Sequence, residues 1–189
     1  MKRLRYPFDE NTVRSLDAGD VVEIDGILIT GRDRLHKHFA DGKHIDADFR
    51  NGALYHCGPV SVETPDGWKI VAAGPTTSVR ENPYEPAFIE KTGVRIVIGK
   101  GGMDAATLEA MKKHGCVYIQ AVGGAAAVAA RCVKRVVRVA HLEEFGAAEA
   151  LWHLEVERFP GVVAMDAKGH SLFEAVRKSS KSRFETMFE

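Results

Sequence analysis

The sequence has no excess of charge of either sign and no long apolar segment. Its 189 residues contain 26 Lys and Arg against 26 Asp and Glu, so the formal net charge is zero. Nucleic-acid-binding proteins usually carry a basic excess that neutralises phosphates, and we therefore expect no nucleic-acid partner. No run approaches the roughly 18 apolar residues of a membrane-spanning helix, and the first 30 residues lack the apolar region of a signal peptide. We expect neither membrane insertion nor secretion.

Cysteine is also scarce. Cys57, Cys116 and Cys132 are widely spaced and include no Cys-x-x-Cys pair. Such a set does not form a disulfide framework and is typical of a reducing compartment. A zinc site or a complete iron–sulfur site would need ligands that are closer together or more numerous. We therefore predict a cytoplasmic protein with buried, apolar cysteines and no metal site of its own.

The composition is that of a globular α/β domain, with 45% hydrophobic and 28% charged residues. The length predicts one domain over residues 1–189, and the polar residues from about 179 to 189 predict a frayed tail. Asp25-Gly26, between two β-branched runs, predicts a hairpin, and the turn signal at 65–67 predicts another. The expected elements of this first part are strands at 21–24, 27–30, 53–57 and 68–73 and a short helix at 32–39.

After residue 74, strands alternate with helices, which predicts parallel pairing. Asp104 is a good N-cap and Gly115 a good helix end. The predicted fold class is therefore α/β, with mixed or antiparallel strands first and then a parallel sheet with covering helices. The expected strands of this part span 94–98, 117–121, 133–140, 151–156 and 162–166, and the expected helices span 86–91, 104–114, 123–130 and 172–178.

Two segments place cations at predicted strand ends. In GPTTSVR (74–80), three hydroxyls precede Arg80, and hydroxyls at a helix start leave backbone N–H groups free to bind an anion. The alternative is a capped loop with a solvated arginine. In GKGGMD (99–104), glycines allow a ligand to approach the backbone beside Lys100. The spacing fits neither a phosphate-binding P-loop nor a dinucleotide fingerprint, and a tight turn with an exposed lysine is the alternative.

Two further segments carry histidine. In GRDRLH (31–36), Arg32 and His36 are four residues apart on one helix face, where His36 could move protons. The alternative is a surface helix that carries pairs of opposite charges. His36 and His38 alone are weak support for a metal site. His56 and Cys57 are adjacent on a strand and point to opposite faces, so they indicate a strand end rather than thiol chemistry.

These segments, in this order, resemble the β subunit, or C-terminal domain, of the iron–sulfur-dependent class I fumarases and L(+)-tartrate dehydratases. The matching segments are GDVVEIDGILITGRDRLH (19–36), NGALYHCGPV (51–60), AAGPTTSVR (72–80), EKTGVRIVIGKGGM (90–103) and GVVAMDAKGHSL (161–172). The resemblance implies a swivelling β/β/α domain. It also implies reversible hydration of fumarate to L-malate, with the tartrate dehydratase reaction or a non-catalytic anion-binding or protein-binding module as alternatives.

The resemblance further implies half of an enzyme. The 4Fe–4S cluster would be bound by a partner α subunit, and the assembly would be a hetero-oligomer. The isolated chain could instead form a homodimer. Thr76 would be the base at substrate C3, Lys100 would stabilise its alkoxide and contact a carboxylate, and His36 would handle protons in the tartrate branch. The implied substrate-binding residues are Arg32, Arg80 and Thr77. The sequence departs from the pattern at Glu81, where methionine is common, and a carboxylate that faced the site would weaken dianion binding.

Overall fold

The computed structural model describes residues 1–187, which form two sheets and their covering helices. A seven-stranded sheet has the strand order β1-β2-β3-β6-β7-β9-β8, and β4 and β5 form a separate hairpin. The strands are β1 (Lys2–Arg5), β2 (Val21–Thr30), β3 (Ala53–Tyr55), β4 (Val60–Thr64), β5 (Gly67–Ala72), β6 (Ile96–Gly99), β7 (Val117–Gln120), β8 (Val133–Ala140) and β9 (Leu151–Met165).

A helix follows every strand except β3 and β4. They are α1 (Glu10–Arg14), α2 (Asp33–Ala40), α3 (Glu85–Thr92), α4 (Ala105–His114), α5 (Ala126–Arg131), α6 (Leu142–Phe145) and α7 (Leu172–Thr186), and a 3-10 turn spans Ser78–Glu81. Within residues 1–187, none of them combines the length and the apolar character that a bilayer-spanning helix needs.

The long strand β9 closes the main sheet on itself. Strands β2, β3, β6 and β7 pair in parallel, as the alternating strand and helix pattern predicts. Strand β9 runs antiparallel to β7, to β8 and also to β2. The pairing of β9 with β2 joins β2, β3, β6, β7 and β9 into a ring. The α/β class with mixed strands is thus confirmed.

Each face of the sheet has its own hydrophobic core because alternate strand residues point to opposite faces. On β3, Tyr55 belongs to the core that also contains Trp152. Leu54 belongs to the second core, where α2, α3 and α4 contribute residues such as Leu35 and Phe88. Two of the side chains described below follow the carboxyl ends of parallel strands, Arg32 after β2 and Lys100 after β6, whereas Thr76 and Arg80 follow β5 of the hairpin.

The predicted hairpin at Asp25-Gly26 is wrong. Strand β2 runs straight through these residues and pairs with β9 from Val21 to Ile29, with a register shift between Ile24 and Gly26. Gly26 has φ of +112°, which a bulge tolerates as readily as a turn, and its position against Tyr6 leaves no room for a side chain. The separate strands predicted at 151–156 and 162–166 are likewise one strand, β9.

Other boundaries also differ from the sequence predictions. The turn predicted at 65–67 is present, but it joins β5 to β4, which the sequence analysis did not identify. The last helix does not end at residue 178 but continues to Thr186; Ser171 caps its start. The rest of the predicted tail, residues 188–189, lies outside the described residues.

Candidate active site

The loop after β5 inserts between the ends of β3 and β6, which places Thr76 beside Lys100. The N–H of Thr76 donates to the carbonyl of His56 at 2.7 Å, and the N–H of Lys100 donates to the carbonyl of Thr76 at 3.2 Å. The N–H of Ser78 in turn donates to the carbonyl of Lys100 at 3.0 Å. Backbone hydrogen bonds therefore fix two of the predicted site residues against each other.

Arg80 brings a cation to the hydroxyl of Thr76. Its Nη2 donates to Thr76 Oγ1 at 3.1 Å, and its Nε and Nη2 form a bidentate pair with the carboxylate of Asp33 at 3.0 and 2.9 Å. The two charged side chains are 43% and 46% exposed, so solvent screens the pair and its contribution to stability is small. Asp33 therefore holds the guanidinium of Arg80 only weakly.

Arg32 lies on the other side of Asp33. It precedes the first residue of α2, and its Nη2 is 3.9 Å from the carboxylate of Asp33. Its Nε is 3.3 Å from Glu149 Oε1 and is buried without a hydrogen-bond partner. The guanidinium lies against Gly58, where a Cβ would collide with it. Arg32 and Arg80 thus share one carboxylate in this structure.

Lys100 and Thr77 complete the predicted set at this edge. Lys100 is half-buried, and among residues 1–187 its ammonium group has no ion-pair partner within 4.0 Å. Gly101 after it has φ of +84°, and the N–H of Gly101 donates to Gln120 Oε1 at 3.2 Å. Thr77 forms a backbone bridge with Lys100 and is half-buried. The structure therefore brings Arg32, Thr76, Thr77, Arg80 and Lys100 together.

His36 is not at this edge but in the interior beneath it. Its side chain is fully buried, with Nδ1 2.9 Å from the carbonyl of Arg32 and Nε2 2.8 Å from Glu85 Oε2. Glu81 faces the same ring, with Oε2 3.3 Å from His36 Nδ1. Glu81 therefore points to the interior and not to the edge where a dianion would bind.

The contacts of His36 with other polar residues were not predicted from the sequence. His56 Nε2 is 3.4 Å from Glu85 Oε2, and His56 Nδ1 is 2.9 Å from the hydroxyl of Ser78, which lies 2.9 Å from the hydroxyl of Tyr118. One sign was available, because Glu85 stands three and four residues before Phe88 and Ile89 and so lies on the buried face of α3. We call His36, His56, Ser78, Glu81 and Glu85 the buried polar cluster.

Charges within the buried polar cluster shift its pKa values in opposite directions. Burial lowers the pKa of His36, but the charges of Glu85 and Glu81 outweigh burial and raise it above 6.5. Burial also raises the pKa of Glu85, yet His36 holds it well below 4.5. Burial lowers the pKa of His56 and raises that of Glu81 to about 7. His36 and Glu85 therefore form an ion pair, whereas Glu81 holds a proton in weakly acidic solution.

The thiols do not fit an iron–sulfur cluster. Cys57 and Cys116 are buried in different cores on the two faces of the sheet, as expected for apolar cysteines, whereas Cys132 is half-buried. Burial raises the pKa of Cys57 to about 12 and raises those of Cys116 and Cys132 as well. Cluster ligands are thiolates, and Cys57 and Cys116, which are protonated and lie on opposite faces of the sheet, cannot bind one cluster together.

Comparison with known proteins finds relatives along almost the whole chain. The family described as "Fumarase C-terminus" matches residues 3–176. A Geobacillus stearothermophilus protein named "Putative fumarate hydratase class I" is 49% identical over 178 residues, which are 94% of this chain and 34% of that protein. The chain thus spans about a third of that relative.

Two other relatives are about as long as this chain. A Methanocaldococcus jannaschii protein named "Putative L(+)-tartrate dehydratase subunit beta" is 39% identical over 183 residues, which are 93% of this chain and 94% of that protein. The Escherichia coli K12 protein named "L(+)-tartrate dehydratase subunit beta" is 35% identical over 190 residues, which cover 100% of this chain and 94% of that protein.

Proposed function

The chain belongs to the fumarase C-terminus family, and on this premise we propose that it is the β subunit of a two-subunit hydro-lyase that interconverts fumarate and L-malate. A cytoplasmic location and the swivelling β/β/α arrangement are part of the proposal. One observation carries most of the weight: Thr76 Oγ1 accepts a hydrogen bond from Arg80 at 3.1 Å, and the backbone of Thr76 is hydrogen-bonded to that of Lys100. A hydroxyl among cations is suited to proton transfer next to a bound dianion.

Each residue has a chemical role in the proposed reaction. Arg32 and Arg80, supported by Thr77, bind the substrate carboxylates, and the forked guanidinium groups fix orientation as well as affinity. Thr76 removes the proton from C3 of malate and returns it to fumarate in the reverse direction. A threonine alkoxide is strongly basic, and the positive charge of Lys100 stabilises it. Because His36 is fully buried, its proposed proton handling is confined to the buried polar cluster.

An α subunit that holds a 4Fe–4S cluster is the proposed partner. The buried, protonated thiols of this chain and the name "subunit beta" of two relatives support that assignment. The cluster would supply Lewis-acid chemistry at the substrate hydroxyl. This chain would contribute cations and the base, and a hetero-oligomer would be the working form.

Anaerobic reconstitution with the proposed α subunit tests the proposal. We expect fumarate absorbance in the ultraviolet to fall as malate forms, and Thr76→Val to abolish turnover while the cluster spectrum remains. Thr64→Val, on the β4–β5 hairpin, is the matched control and should retain activity. Near-normal rates in Thr76→Val would refute the role of Thr76 as the base.

L(+)-tartrate dehydratase is the second candidate, favoured by the names of the two relatives of similar length. Turnover of tartrate to oxaloacetate without turnover of fumarate would assign the chain to that reaction. If the complex turns over neither substrate and the isolated chain still binds a dicarboxylate, the chain is a non-catalytic binding module.

A further inference from the structure

We propose that Glu85 is a positioning residue: its buried carboxylate links the segment that carries Arg32 to the segments that carry Thr76 and Lys100. The inference rests on the function proposed above, because it assigns Glu85 a part in holding that site together. Glu85 lies at the start of α3, is fully buried and cannot touch a substrate. Its influence must therefore pass through the two histidines that it contacts.

The first contact leads to Arg32. The carbonyl of Arg32 can only accept a hydrogen bond, so His36 Nδ1, 2.9 Å away, must carry a proton. His36 Nε2 lies 2.8 Å from a carboxylate oxygen and donates to it. With both nitrogens protonated, His36 is an imidazolium paired with Glu85. This ion pair anchors the backbone turn from which the Arg32 side chain extends.

The second contact leads to Thr76 and Lys100. The same oxygen, Glu85 Oε2, is 3.4 Å from His56 Nε2, a polar contact that lacks the geometry of a hydrogen bond. The backbone of His56 accepts the N–H of Thr76 at 2.7 Å and donates to the carbonyl of Ile98 at 2.8 Å. Its ring contacts the hydroxyl of Ser78 at 2.9 Å, and the N–H of Ser78 donates to the carbonyl of Lys100. One carboxylate thus supports both segments that form the acid–base part of the site.

Geometry of this kind matters more for proton transfer than for binding. Arg32, Arg80 and Lys100 attract a dianion over several ångströms, and small displacements weaken that attraction little. Proton transfer to Thr76 depends on a donor–acceptor distance that an error of about 1 Å can disrupt. Loss of Glu85 should therefore reduce catalysis far more than affinity for a dicarboxylate.

The kinetic test compares Glu85→Ala, Glu85→Gln and the control Glu90→Ala in the reconstituted complex. Glu90 is on the same helix, is 53% exposed and pairs with Lys113. For Glu85→Ala we expect kcat to fall at least 10-fold, and the inhibition constant of the non-reacting dicarboxylate succinate to change less than 3-fold. We also expect a larger primary isotope effect with malate deuterated at C3. Glu85→Gln, which keeps the side-chain volume, should restore part of kcat, and Glu90→Ala should behave as wild type.

The isotope effect separates positioning from partial unfolding, because a smaller active fraction lowers kcat without altering the isotope effect. An unchanged isotope effect, or equal losses of kcat and succinate affinity, would overturn the proposal.

A second measurement uses the chain alone and does not depend on turnover. Nitrogen-15 spectra should show His36 as an imidazolium above pH 6.5, and Glu85→Gln should lower the pH at which it loses its proton. The ionisable groups that face His36 are Glu81 from the 3-10 turn, Tyr84 before α3, Glu85 from α3 and His56 from the end of β3. The charge of Asp33 acts on the pKa of His56.

The amide resonances of Arg32, Thr76 and Lys100 should shift together in Glu85→Gln. Shifts limited to α3 would refute the link between the segments. If the wild-type complex is inactive but these shifts occur, the positioning proposal survives and the proposed reaction does not.

Discussion

Glu81 offers a direct test of the electrostatics described for the interior. Its carboxylate is buried, and neither oxygen has a hydrogen-bond partner in the described part of the chain. Burial raises its pKa from 4.5 to about 7, although the positive charge of His36 opposes the shift. Replacement by methionine keeps the length of the side chain and removes the ionisable group. We expect Glu81→Met to be more stable than wild type in neutral and alkaline solution.

The sign and size of this effect follow from proton linkage. The pKa of Glu81 is higher in the folded than in the unfolded chain, so its contribution to stability is complete below pH 4.5 and is lost as the pH rises through about 7. The difference between these pKa values corresponds, at about 1.4 kcal/mol per pH unit, to about 3 kcal/mol. The stability gained by Glu81→Met should therefore grow by about 3 kcal/mol between pH 4.5 and pH 8.

Urea unfolding of both proteins at closely spaced pH values measures this difference. Subtraction removes contributions common to the two proteins, including that of His56, whose lowered pKa acts in the opposite direction. Glu109→Met, at an exposed glutamate of α4, is the control and should give a difference that is flat with pH. If the stability difference between Glu81→Met and wild type does not change with pH, or falls as the pH rises, then Glu81 is ionised and stabilised by His36, contrary to our reasoning.

Three further predictions concern the open site and the core. Arg32→Met removes a guanidinium proposed to bind a carboxylate, and succinate binding measured by calorimetry should weaken by about 10-fold; unchanged affinity would place Arg32 outside the binding site. Lys100→Met should reduce kcat/KM of the complex about 100-fold, whereas a loss confined to KM would leave Lys100 only a binding role. Trp152→Ala should lower the free energy of unfolding by about 3–5 kcal/mol in urea, because Trp152 is fully buried against Trp68; a loss below about 1 kcal/mol would show that the core can repack.

Caps and residue patterns in the sequence predicted the boundaries of an element correctly where those boundaries depend on that element alone. Helix α4 begins after Asp104, whose side chain accepts the N–H of Thr107, and it ends at Gly115 with φ of +68°. Strand β8 has the predicted boundaries. Asp25-Gly26 failed because a bulge and a hairpin use the same positive φ, and only the partner strand, more than 100 residues later, decides between them.

The candidate site was accessible to sequence reasoning only in part. Lys100 follows a strand of the parallel sheet, but Thr76 follows β5 of the separate antiparallel hairpin, so only the resemblance to the family implied that the two residues meet. The place of His36 was not foreseeable, since helix periodicity identifies a buried face but not the polar groups that surround a side chain there. Glu85 and His56 come from different elements, and their meeting depends on how α3 packs on the sheet.

The closure of the sheet has a consequence for the order in which the protein folds. Glu23 pairs with Pro160, so the ring cannot close until β9 has been synthesised. A nascent chain that ends before residue 151 has both the β2 and β7 edges unpaired, and such edges recruit strands from other molecules. Because contacts between distant parts of a chain slow folding, we expect the ring to close only after β9 has been synthesised, and the unpaired edge of β2 to be prone to aggregation until then.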